Sequence, residues 1–486
     1  MAPIALDTLV AALPEPIKQS KPVSVLLHAT TAQPLVTSAS GLHFTLSNGG
    51  TVLDAASGGA AVICLGNGDE EVISAMAAQS RKISYSYHQT ISSDPSEELG
   101  RYLTDKSEGW FAGAAFLSSG SEAIEAAIKM ARQYWVEAGE PQREFFIGRA
   151  PSYHGNTLGA LAVSHPSYLP PSEVCLLWKL YSCFPRQLGH VKGRRDIYEP
   201  ILSQNFKHVS SPTYLRSHFP SETEEAYSQR LAAELEAKIL ELGPKNVIAF
   251  AAEPVVGAAL GVMPPPRGYF PAIHAVLKKY NILLIMDEVM SGTGRVGELF
   301  AHQADGVGEG VRPDILTMAK GLGSGYVSIS GVLVNHRVKD MLSKNGQVKN
   351  SHTYQGHPVA CATALKVQQI VEREDLLANV RERGEQLLLE LRTALQGIDQ
   401  VFDVRGKGLF VGVDIEAPTT LKPRLASRIK ERAFDNGLMV LGLSGTVDGD
   451  KGEAVVLAPG YIVTKEQITE MVTILARSIK ECLAEL

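Results

Sequence analysis

The sequence predicts an α/β protein built on a mostly parallel sheet, and two stretches carry that reading. Residues 282–286 are apolar without alternation, the pattern of a strand buried on both faces of a parallel sheet. Residues 314–319 read as a second strand, and segments of helical periodicity recur along the chain. Each of these strands ends on a chemically capable residue. Asp287 closes the first, and Lys320 follows the second and opens a glycine-rich loop, 321–325. In open sheets of this kind ligands bind outside the carboxyl ends of the strands.

Taken in order, residues 1–40 contain prolines and little periodicity, and read as an arm. Residues 42–46 and 51–54 read as a hairpin around Ser47, Asn48, Gly49 and Gly50. The small residues 57–61 make a turn, either a plain tight loop or a turn lying over a functional site. Residues 69–78 and 97–104 have helical periodicity, and the aromatic stretch 83–88 between them offers Tyr85, Tyr87 and His88 as packing residues. A strand then runs into Ser118, Ser119, Gly120 and Ser121. The helix that begins there has apolar positions Ile124, Ala127, Ile128, Ala131 and Tyr134 recurring at three and four. Such a helix start offers N–H groups and hydroxyls to an anion, or is simply capped by Ser121. Residues 144–148 form a strand ahead of Tyr153, His154 and Gly155, where an aromatic ring can lie on a heteroaromatic one or be buried for packing.

The stretch 172–195 breaks the pattern with an apolar run, two cysteines and a basic tail. It reads as a surface excursion or as translated intron sequence. A charged amphipathic helix, 222–242, stops at Gly243 and Pro244, and the strand 246–252 leads to Glu253. Residues 352–358 form a loop ahead of a helix, 359–372, in which Thr353 is a possible cap. Another charged helix, 375–395, precedes 401–415. There Arg405 stands before a strand and is the candidate for a substrate carboxylate, with a solvated salt bridge as the alternative.

A chain of 486 residues is expected to form two or more domains or lobes. Charges nearly balance at −6, and no basic block interleaved with aromatics appears, so nucleic acid is not an expected partner. Five scattered cysteines lack metal-ligand spacing and fit a reducing compartment. No window is apolar enough to span a bilayer, and neither terminus reads as a targeting signal, so no membrane association is expected and the location expected is cytoplasmic.

An acid and a lysine on neighbouring strand ends suggest one chemistry. The lysine can form a Schiff base with a cofactor aldehyde, and the acid can keep the ring nitrogen of that cofactor protonated, making the ring an electron sink. At an effective dielectric of about 20, a contact ion pair contributes about 4 kcal/mol. That is about three pKa units on the nitrogen. Taken alone, the pair is equally an ordinary buried salt bridge.

The surrounding residues add a resemblance. Asp287, Glu288 and Val289, then Gly292, Thr293, Gly294 and Arg295, then Ala319 to Gly323 around Lys320, resemble the signature of class III aminotransferases that use pyridoxal 5'-phosphate. The resemblance implies fold type I: a large α/β domain with a mostly parallel seven-stranded sheet, and a small α+β domain built from both chain ends. The expected division is 1–70 as arm and part of the small domain, 71–370 as the large domain, and 371–486 as the rest of the small domain. It implies that Lys320 and Asp287 are catalytic, that Gly120 and Ser121 hold the phosphate, and that Tyr153 stacks on the ring with His154 beside it. Glu253 would lie near the ring, and Val289 would pack on the face opposite Tyr153. Met290 stands where many relatives have glutamine, and Gly460 where a second proline is usual. Thr353 would reach the phosphate of a neighbouring subunit, which implies a homodimer with shared sites. The implied reaction moves an amino group from an amine or ω-amino acid donor to a keto acid by ping-pong chemistry. The alternatives are racemisation or decarboxylation on the same fold, or a protein inactivated by the 172–195 insert.

Overall fold

The structure, a computed structural model of one chain, describes residues 34–165, 195–346 and 348–486. The predicted arm up to residue 33 lies outside the described residues, as does the unusual insert apart from Arg195. Residues 36–40 are strand rather than arm. β1 (Val36–Ser40) pairs antiparallel with β2 (His43–Leu46), which pairs with β3 (Thr51–Asp54) as the predicted hairpin. β1 is an edge strand exposed along most of its length, so it carries no apolar alternation by which to recognise it.

The large sheet is built from β4 (Phe111–Leu117), β5 (Phe145–Ala150), β6 (Phe206–Ser210), β7 (Val247–Ala252), β8 (Leu283–Asp287), β9 (Ile315–Met318) and β10 (Ser330–Asn335). Its seven strands run in the order β4-β10-β9-β8-β7-β5-β6, and only β10 is antiparallel to its neighbours. Both faces of the centre are covered. Leu283 and Ile285 of β8 pack on one side with the helix Gly120–Glu137. Leu284 and Met286 pack on the other with the helices Glu224–Leu242 and Tyr269–Lys279. With both parities buried, no polar alternation can survive, which is why 282–286 reads as an unbroken apolar run. Each such side chain contributes about 1.5–3 kcal/mol on burial.

Helix ends are set by local chemistry. Asp69 caps Glu70–Lys82, Thr223 caps Glu224–Leu242, and Thr464 with Gln467 forms a capping box on Lys465–Ala484. Gly243 ends its helix at φ 82°, a conformation glycine adopts without strain.

The C-terminal part adds β11 (Val401–Lys407), β12 (Phe410–Ile415), β13 (Leu438–Met439), β14 (Leu441–Ser444) and β15 (Glu453–Leu457). β11, β12, β15 and β14 make an antiparallel sheet, while β13 joins β3 in parallel and so ties the two ends of the chain together. A shared core that includes Leu53, Val380, Leu387, Val411 and Leu475 closes this α+β part. Among the described residues no helix is long and apolar enough to cross a membrane.

Candidate active site

The parallel pairing of β8 with β9 sets Asp287 beside Thr317, three residues before Lys320. The acid and the lysine therefore leave the same end of the sheet on adjacent strands, as the sequence predicts. The buried Asp287 carboxylate accepts from the Val289 N–H at 3.0 Å and the Thr317 hydroxyl at 3.2 Å. Its other oxygen lies 2.8 Å from Nδ1 of His154, which is also buried. His154 thus meets Asp287 directly, orienting the carboxylate and leaving its own Nε2 without a partner among the described residues. Thr317 went unnoticed in the sequence, where it is one more residue of an apolar strand; the strand register supplies its role.

Lys320 sits at φ 47°, a left-handed conformation that persists in a lysine only where its surroundings impose it. They do so here. Gln368 donates to the Gly321 and Leu322 carbonyls at 3.0 and 3.1 Å, and a Cβ on Gly321 would lie 2.5 Å from the Thr293 hydroxyl. The Lys320 amine donates to the Ala60 carbonyl at 2.8 Å, so the turn Ser57–Ala61 does lie over the site. Burial pushes this amine down from 10.5 to about 8; Asp287 and Glu253 pull it up, and Arg295 pushes it down.

Glu253 is buried, and its carboxylate is satisfied by backbone, from the N–H groups of Gly257 at 2.9 Å and Tyr153 at 3.4 Å. Both oxygens of this strand-end carboxylate thus engage backbone N–H groups. Burial raises its carboxyl above the usual range, His154 lowers it and Asp287 raises it further. Tyr153 is half-buried against Val256, Ala259, Leu260 and Met263.

At the start of Gly120–Glu137 the cap is Ser119, which accepts from the Glu122 N–H, and not Ser121. Ser121 instead accepts from the Asn156 N–H at 3.0 Å. Among the described residues, the N–H groups of Gly120 and Ser121 have no acceptor. A Cβ on Gly120 would lie 2.8 Å from Val289, and one on Gly155, at φ 127°, would lie 2.6 Å from the Ser121 hydroxyl. The cradle thus needs both glycines. Thr353 is exposed and is not a cap either, since His357 caps Pro358–Arg373.

Arg405 departs from expectation. Its Nε donates to the Val262 carbonyl at 2.8 Å, one terminal nitrogen donates to Leu260 at 2.8 Å, and the other pairs with Asp414 at 2.8 Å and Asp403 at 3.3 Å. The guanidinium is buried and fully engaged, so it is neither a carboxylate clamp nor a solvated salt bridge. The cause lies across the ladder. Arg405 pairs with Gly412, where a Cβ would lie 2.1 Å from the Gly261 carbonyl, so the chain at 260–262 approaches and takes the fork. Arg405→Ala is expected to cost about 1–3 kcal/mol, because the Val262 and Leu260 carbonyls lose their donor while Asp414 keeps Arg216 at 3.0 Å. Thermal unfolding measures that loss, while the KM for a keto acid stays within about twofold, because ground-state binding is untouched.

The residues that converge suit one kind of group: a flat ring carrying an anion, a basic nitrogen and an aldehyde. The helix start and its glycines fit the anion, Asp287 fits the nitrogen, and the amine of Lys320 fits the aldehyde.

The description Aminotransferase class-III matches residues 28–172 and 195–479, passing over the unusual insert. An uncharacterized aminotransferase of Schizosaccharomyces pombe is 39% identical over 460 residues, covering 93% of this chain and 94% of its own. The putrescine–pyruvate aminotransferase of Pseudomonas aeruginosa is 30% identical over 457 residues, with 93% and 91% covered. An amine transaminase from an uncultivated Pseudomonas species, solved in its PLP-bound form, superposes with a TM-score of 0.80 at 30% identity, covering 96% of this chain and 99% of that one. A family match over most of the chain, on a seven-stranded fold type I sheet, makes this protein a class III aminotransferase, an enzyme that transfers amino groups with pyridoxal 5'-phosphate.

Proposed function

We propose that the protein moves an amino group from an amine or ω-amino acid donor to a keto acid, with Lys320 as the residue that bonds the cofactor and moves the proton. The observation that carries this reading is the amine of Lys320, lowered to about 8 at the end of β9 beside the strand that ends in Asp287. When bound, pyridoxal phosphate supplies an aldehyde and an electron-withdrawing ring. Lys320 then takes a proton from the substrate carbon and returns it one bond-pair away, a task for an amine with a pKa near the working pH. Asp287, oriented by His154 and Thr317, holds a proton on the ring nitrogen. Gly120 and Ser121 bind the phosphate through backbone N–H groups, and Tyr153 and Val289 bracket the ring.

For the donor, the engagement of Arg405 supports simple amines and diamines over donors whose carboxylate needs that arginine. A donor panel against pyruvate and 2-oxoglutarate tests this. An amine donor supplied alone should convert the bound cofactor to pyridoxamine phosphate, whereas racemisation or decarboxylation would leave it as the aldehyde.

The lowered amine has a pH signature. Only the neutral amine attacks the aldehyde, so capture of added cofactor by the cofactor-free protein should rise about tenfold per pH unit up to about 8 and level off above it. An ordinary lysine would keep climbing toward 10.5. Stopped-flow absorbance across pH 6 to 10 reads the midpoint; a rate still climbing at pH 10 would sink the assignment.

The same reading includes a homodimer in the cytoplasm and the domain division near residues 71 and 371. The dimer is supported by exposed apolar residues clustered in sequence around the Thr353 loop and 83–91, among them Tyr354 at 61%, Ile91 at 58% and Tyr85 at 41%. Tyr85 donates to the Thr353 carbonyl at 2.9 Å, joining the two segments. Light scattering across a dilution series tests the dimer. Free, buried Cys64, Cys361 and Cys482 support a reducing compartment.

A further inference from the structure

The turn that receives the Lys320 amine is held in a costly conformation. Ser57, Gly58, Gly59 and Ala61 all have positive φ, at 48°, 76°, 88° and 57°, and two of them are not glycine. Such a run persists only where neighbouring groups over-determine it. Asp54 accepts from the Ala56 N–H at 2.9 Å and the Gly58 N–H at 2.6 Å. The Ser57 hydroxyl donates to the Ala458 carbonyl at 2.5 Å and accepts from Arg295 at 3.1 Å. Arg295 is itself buried, donating to the Leu409 carbonyl at 3.1 Å and to that of Pro459, with its guanidinium 4.8 Å from the centre of the Tyr461 ring.

One arginine from the loop after β8 thus ties together the N-terminal segment, the C-terminal segment and the turn whose carbonyl faces the lysine. We propose that Arg295 is a positioning residue: through Ser57, and with Asp54, it holds the Ser57–Ala61 turn so that the Ala60 carbonyl receives the Lys320 amine whenever that amine is not bonded to cofactor. Amino-group transfer frees the lysine in each half-reaction. A fixed acceptor keeps the freed amine from swinging out of line, and accepts its N–H while the lone pair stays open to a proton. The groups facing this amine are Asp287, Glu253 and Arg295. The inference rests on the reading that Lys320 bonds the cofactor.

The test is chemical labelling of the cofactor-free full chain with acetic anhydride at pH 10, where the amine is neutral, with Lys320 quantified by mass spectrometry against exposed lysines of the same digest. Ser57→Ala removes the relay and keeps the Arg295 charge; Arg295→Lys keeps the charge and loses the fork. Each is expected to raise the relative labelling of Lys320 about fivefold, the scale of one lost buried hydrogen bond, and to slow the half-reaction by a similar factor. A purely structural role would lower the unfolding temperature and leave that ratio alone. An unchanged ratio in Ser57→Ala overturns the proposal, and that variant decides the matter if Arg295→Lys does not fold. In the wild type, bound pyridoxal phosphate must protect Lys320. If it does not, the cofactor reading falls first, whatever the variants do.

Discussion

Lys320→Ala is expected to leave a folded protein that has lost the visible absorbance of lysine-bound cofactor and transfers amino groups at least about ten-thousandfold more slowly, since nucleophile and proton carrier vanish together. Stability should not fall. The lysine holds a left-handed conformation and a desolvated amine, and alanine keeps the strain while shedding the cost of burial. The sign follows from the direction of the shift. An amine lowered to about 8 disfavours the folded state while it is protonated, so the gain from its removal is largest below pH 8 and fades as pH rises toward 10.5. Paired unfolding curves at pH 6 and pH 10 read that trend, and absorbance after cofactor addition reads the chemistry. Added methylamine should restore part of the proton transfer, because it returns an amine to the space the side chain leaves. A variant that turns over at the normal rate would remove Lys320 from the reaction.

Both ends of that chemistry were legible because they sit where strands end. Residues 282–286 and 314–319 announce themselves by having both faces buried, and the charged residues that follow stand out against them. β6, with its half-buried FKHVS, and β1, exposed along an edge, gave no such contrast. β10 is wholly buried, but it opens on Ser330 and Gly331 and closes on Asn335, so no long apolar run marks it in the sequence.

Side-chain direction was the harder quantity. An arginine ahead of a strand reads the same whether its fork enters a cleft or turns inward; for Arg405 the choice rests on its cross-strand glycine and the approach of 260–262. The sequence offers Ser121 as the cap at Gly120, yet Ser119 is the residue that holds the extended conformation of a cap, at φ −149° and ψ 156°, and accepts from the Glu122 N–H. The Ala60 carbonyl left no trace at all, because a backbone acceptor has no residue type. Only the cluster of small residues at 57–61 hinted that the chain bends sharply there.

Asp287→Asn isolates the electrostatic half of the site. Asparagine keeps the size of the side chain and can still accept from the Val289 N–H, so the fold should persist. What disappears is the charge on which His154 and the ring nitrogen depend. At an effective dielectric of about 20, a contact charge pair contributes about 4 kcal/mol. Lost from the transition state, that is about a thousandfold in rate, at 1.4 kcal/mol per factor of ten. The half-reaction with an amine donor alone should therefore slow by about three orders of magnitude, while the lysine-bound absorbance, which depends on Lys320, still forms. This split between capture and turnover distinguishes a ring-nitrogen partner from a carboxylate that only props up His154. In the second case, removing the histidine with His154→Phe would slow the half-reaction as much as Asp287→Asn does, and the double variant would be no slower than either. If Asp287→Asn instead reacts within about tenfold of the wild type, the carboxylate is an ordinary buried acid and the electron sink must be held by another group.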